Sequence, residues 1–121
     1  MPSFSGSSQL KLATCDERLQ RLFMEVIKHR DCTILCGHRT KEEQDKAVAE
    51  GKSKAPWPQS NHNKVPSMAV DVMPYPINWG DREGLQRFSD FVKGVAAGMG
   101  ISVRWGGDFK TFFDGPHWEI S

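Results

Sequence analysis

The sequence is short of several things. It holds one tyrosine, three cysteines and a formal net charge of only +1 in 121 residues. Such a balance offers no basic field for nucleic acid and no acidic tail. No apolar run approaches the roughly 18 residues of a membrane span, so membrane insertion is not expected. The start, Met1-Pro2-Ser3-Phe4-Ser5-Gly6-Ser7-Ser8, has neither a basic region nor an apolar stretch, so no export signal is visible. Internal repeats and low-complexity segments are absent too. Cys15, Cys32 and Cys36 are odd in number and fit no CxxC pair or zinc knuckle. Cys32 and Cys36 lie in an apolar run and read as inert core thiols of a protein folded in a reducing cytosol.

What is present fits a single α+β domain spanning residues 1–121, with residues 1–12 as a partly mobile N-terminal arm. Helical spacing of Leu19, Leu22, Phe23, Val26 and Ile27 predicts a helix over 16–30, with Asp16 as its cap. Cys32 to Cys36 reads as a strand stopped by Gly37. Thr40 with Glu43 is a capping-box signature and opens a helix over 41–50. Residues 51–66 form a long polar loop that Pro56, Trp57, Pro58 and Pro66 stiffen. A strand over 68–73 follows, then a loop over 74–81. The stripe Leu85, Phe88, Phe91, Val92, Val95 and Met99 predicts a helix over 83–98. Strands over 101–105 and 116–120, with a turn region over 108–113 between them, complete a small, mainly antiparallel sheet.

The chemistry gathers in two stretches. Ser60-Asn61-His62 leads into a strand whose apolar interior is broken by Asp71. A buried, unpaired carboxylate is costly, and coordination to a metal would relieve that cost. Asp114 and His117 lie three residues apart near the C-terminus. Two imidazoles and a carboxylate are the N/O ligand set of a catalytic zinc site, which keeps a fourth position for water. A further carboxylate nearby can serve as general base.

These residues carry a resemblance. The pattern Ser60-x-His62, Ala69-x-Asp71, Asp114-x-x-His117-Trp118 resembles the zinc D-alanyl-D-alanine carboxypeptidase and L-alanyl-D-glutamate endopeptidase family. Gly37-His38-Arg39-Thr40 with Glu43-Gln44 resembles that family's Gly-Tyr-Arg-Ser segment, with histidine in place of tyrosine. Trp105-Gly106-Gly107-Asp108 is similar to a motif of its phage endolysin branch. Asp114 stands where many members carry glutamate. The resemblance implies one Zn2+ per chain on His62, Asp71 and His117, with Asp114 as catalytic carboxylate. It implies Arg39 as the group steadying the oxyanion and Ser60 beside the substrate backbone. Asp108 is a candidate for orienting a ligand from behind, and Trp118 for packing behind His117.

The function so implied is an endolysin that cuts the L-alanyl-D-glutamate bond of the peptidoglycan stem peptide. It would be a monomer made in the host cytoplasm, reaching the wall through a phage pore, with no wall-binding domain and no nucleic-acid partner. Two alternatives stay open: a D-alanyl-D-alanine carboxypeptidase or dipeptidase of the same family, and a non-enzymatic zinc-stabilised binding module. The first would release terminal D-alanine; the second would bind zinc without hydrolysis.

Overall fold

The computed structural model describes residues 2–110 and 112–121. Its helices are α1 (Gly6–Leu12), α2 (Glu17–Val26), α3 (Lys41–Ala49) and α4 (Arg82–Met99). Its strands are β1 (Cys32–Cys36), β2 (Ala69–Pro74), β3 (Arg104–Trp105) and β4 (His117–Glu119). They form one antiparallel sheet in the order β1-β2-β4-β3. The α+β fold is the one expected.

Period-two alternation gives the sheet two unlike faces. Val70, Val72 and Trp118 join the core with Leu19, Leu22, Phe23 and Val26 of α2 and with Leu85, Phe88, Val92 and Ala96 of α4. Trp118 is fully buried, edge-on to Phe23 at 6.2 Å and stacked on Trp105 at 6.1 Å. Its indole Nε1 finds no hydrogen-bond partner among the described residues. An orphaned donor costs about 1–3 kcal/mol. Burying an aromatic of this size returns about 4–6 kcal/mol at 25 cal/mol per Å², so packing wins.

Several expectations need correction. Much of the expected arm is folded onto the domain. Residues 6–12 are helical, Phe4, Ser8 and Leu12 are buried, and the Ile34 amide of β1 donates to the Ser8 hydroxyl at 3.1 Å. Met1 of that arm, and Thr111 of the expected turn region, lie outside the described residues. The helix expected over 16–30 stops at Val26 and continues as turns. The strand expected over 101–105 shrinks to two residues, because the Ile101 amide donates to Ala96 O at 2.9 Å and closes α4 instead.

Candidate metal centre

The ladder itself assembles half of the site. Asp71 of β2 faces His117 of β4 directly, and Cys36 of β1 faces Asp71 from the other side. A bulge at Leu35 shifts the β1 register by one residue just before that row. His62 arrives from a loop. It sits in a 3-10 turn, Asn61–Asn63, where Ser60 Oγ accepts from the His62 amide and Asn63 Oδ1 accepts from the Ser60 amide. The Arg39 amide donates to His62 O at 2.8 Å, and the Met68 amide to Asn61 O at 3.0 Å, which fastens the turn to the sheet.

The donor atoms then converge. His62 Nε2 is 3.2 Å and His117 Nδ1 is 3.3 Å from Asp71 Oδ1. A tetrahedral zinc with bonds of about 2.0–2.1 Å has edges of about 3.3 Å, so the spacing fits such an ion. The remaining ring nitrogens face outward to acceptors. His62 Nδ1 donates to Gly37 O at 2.7 Å, and His117 Nε2 to Glu119 Oε1 at 2.7 Å. Those bonds leave the inward nitrogens free to coordinate, in the manner of carboxylate–histidine–metal arrangements. The three residues can therefore hold a metal ion.

Electrostatics agree with a cation site. Burial opposes charge on His62, yet its bonds to Asp71 and Cys36 outweigh burial and raise it to about 10. Burial likewise opposes charge on His117, and Asp71 and Glu119 raise it to about 9. Burial would raise the Asp71 carboxyl, but the two imidazoles hold it well below the usual carboxylate range. Asp114 differs: burial, and then the Asp71 charge, push its carboxyl above the ordinary range. Its Oδ2 lies 3.9 Å from His117 Nδ1.

A model of the phage L-alanyl-D-glutamate peptidase family matches residues 2–120. The chain belongs to that family. A crystal structure of the L-Ala D-Glu endopeptidase ChiX from Serratia marcescens is similar to it, with a TM-score of 0.82 and 26% identity. That match covers 98% of this chain and 90% of the other.

In this phage peptidase the expected site residues meet around one centre, with individual differences. Arg39 Nη2 is 3.6 Å from Asp71 Oδ2, and its Nη1 donates to Gln44 Oε1 at 2.9 Å. Ser60 is buried, and its hydroxyl caps the His62 turn. Among the described residues Asp108 pairs with Lys93 at 2.7 Å and not with a candidate metal ligand. The Trp-Gly-Gly-Asp segment works instead through Gly106. A Cβ there would strike the Asp114 carbonyl and come within 2.8 Å of Asp114 Cβ and 2.9 Å of His117 Cβ. The Asp114 amide donates to Gly106 O at 3.0 Å, so the bare backbone grips the Asp114 loop.

Three residues escaped the sequence reading. Glu119 was detectable, because a strand puts residues two apart on one face, beside His117. Gln44 enters the resemblance only as part of its segment, with no role of its own. Cys36, read as an inert core thiol away from the motif, is half-buried, and its Sγ lies 3.9 Å from His62 Nδ1. Cys32 fits the inert reading and Cys15 behaves alike, since burial pushes both thiols up to about 12.

Proposed function

We propose that this peptidase is a zinc-dependent endolysin whose catalytic centre is formed by His62, Asp71, His117, Asp114 and Arg39. The observation that carries the reading is that His62 Nε2 and His117 Nδ1 lie 3.2 Å and 3.3 Å from Asp71 Oδ1, with the Asp114 carboxylate 3.9 Å from His117 Nδ1. The family's activity is hydrolysis of the L-alanyl-D-glutamate bond in peptidoglycan. His62 Nε2, Asp71 Oδ1 and His117 Nδ1 would hold the zinc. Zinc bound there supplies a Lewis acid and brings the pKa of water down to about 7.

The chain's own groups do the rest. Asp114, with its raised carboxyl pKa, is suited to take a proton from the attacking water and return it to the departing D-glutamyl amine. Arg39 is held by Gln44 and its own backbone, and its guanidinium supplies N–H donors for the oxyanion that develops on the L-alanyl carbonyl. Gly37 O and Glu119 keep both imidazoles in one tautomer. No helix among the described residues is long and apolar enough to cross a membrane. We place synthesis in the host cytoplasm and action at the wall, as a monomer and one catalytic domain.

The test is digestion of purified muropeptides followed by mass analysis. A new amino terminus at D-glutamate, with L-alanine left on the glycan side, is the expected product. Release of terminal D-alanine with the L-alanyl-D-glutamate bond intact would contradict the reading.

A further inference from the structure

The side chain that ties the centre together is one the chemistry does not use. Gln44 of α3 is completely buried. Its Oε1 accepts from Arg39 Nη1 at 2.9 Å and from Asn63 Nδ2 at 3.3 Å. Its Nε2 donates to Ser53 Oγ at 2.9 Å and to Ala55 O at 2.6 Å. All four valences of the amide are filled. Its orientation is forced, because Arg39 offers only donors and the Ala55 carbonyl only accepts.

The four partners belong to three separate parts of the site. Arg39 carries the guanidinium beside Asp71. Asn63 caps the His62 turn and also donates to Arg39 O at 3.0 Å. Ser53 and Ala55 belong to the loop between α3 and that turn, where Lys54 Nζ lies 5.3 Å from the Phe112 ring, two residues before Asp114. A buried amide with every partner satisfied permits few alternative arrangements, and loss of one bond leaves the others unsatisfied.

We propose that Gln44 is a positioning residue that makes seating of the 51–59 loop and aiming of Arg39 a single event. Its oxygen holds the guanidinium at the metal side of the cleft while its nitrogen latches the loop. Loop closure over a stem peptide and presentation of the oxyanion donor are thereby coupled. The inference rests on the catalytic role assigned above to Arg39.

A double-mutant cycle tests it, with kcat and KM measured on a muropeptide and zinc content determined for each variant. Gln44→Met should keep its zinc and lose about 10–100-fold in kcat through a misplaced guanidinium. Arg39→Ala should lose about 10²–10³-fold. The double variant should lie within about twofold of Arg39→Ala alone, because one route has already been cut. Multiplying losses, or an unchanged Gln44→Met, would overturn the proposal. Amide exchange reads the coupling without turnover. The Arg39 and Ala55 amides should lose protection together in Gln44→Met, or in Ser53→Ala if the former does not fold. Loss at Ala55 alone would overturn the inference. An inactive wild type would refute the function instead, and exchange would still decide the role of Gln44.

Discussion

Asp71, His117 and Glu119 stand on a hydrogen-bonded ladder, whereas Arg39, Ser60, His62 and Asp114 stand on loops and turns. The ladder needs nothing special to bring its members together. Direct pairing of β2 with β4 puts Asp71 opposite His117, and a one-residue slip of β4 would turn His117 to the core face, away from Asp71. The loop half has no such register. Each of its members is held by contacts made for that purpose: Ser60 and Asn63 around His62, Gln44 behind Arg39, Gly106 against Asp114. The ladder half mainly holds charge. On the proposed reading, the loop half adds His62 as a ligand and the groups that would move protons and meet the substrate.

Substitution should separate the two halves. The largest effect belongs to the loop half. Asp114→Asn should retain the metal and lose about 10²–10⁴-fold in kcat, the usual worth of a general base. Loss of metal along with activity would place Asp114 among the ligands and blur the division.

Protons probe both halves at once. The metal-free protein keeps His62 protonated to about 10 and His117 to about 9, while coordination needs both inward nitrogens bare. Raised pKa values favour the protonated site at neutral pH, so metal uptake must expel protons there. Apparent affinity should rise with pH, by up to about 100-fold per unit below the lower of the two values. Calorimetry in two buffers of different ionisation heat counts the protons released. None released near neutrality would contradict the charge arrangement.

The smallest effect belongs to the ladder half. Glu119→Gln keeps the shape but weakens the acceptor for His117 Nε2. Metal affinity should fall about 10–100-fold, with kcat at saturating metal little changed. A large loss of kcat at full metal occupancy would move Glu119 into the chemistry.

The same division explains what could be read from the sequence. The apolar run before Gly37 located β1 at residues 32–36, and a capping box and a periodic apolar stripe placed α3 and α4 within a residue of their ends. The candidate ligands stood out in combination: an aspartate inside an apolar strand, a histidine in the loop before it, and a second histidine three residues after Asp114. Residues held by distant partners left no local signal. The seven residues of α1 are too few for a stable isolated helix, and they fold because Phe4 and Leu12 enter the core and Ser8 reaches β1. Gln44 fits a helix face whether or not an arginine leans on it. Cys36 stands beside His62 only because the bulge at Leu35 and the His62 turn meet in space. Glu119 is the exception, since its spacing from His117 was on view.

The central claim is that His62, Asp71 and His117 hold one catalytic zinc. The most direct test is metal content together with muropeptide cleavage, for the wild type and for His117→Ala. The wild type should carry one equivalent of zinc and cut at D-glutamate, and the variant should lose both. A wild type that cleaves at full rate when stripped of metal would contradict the account.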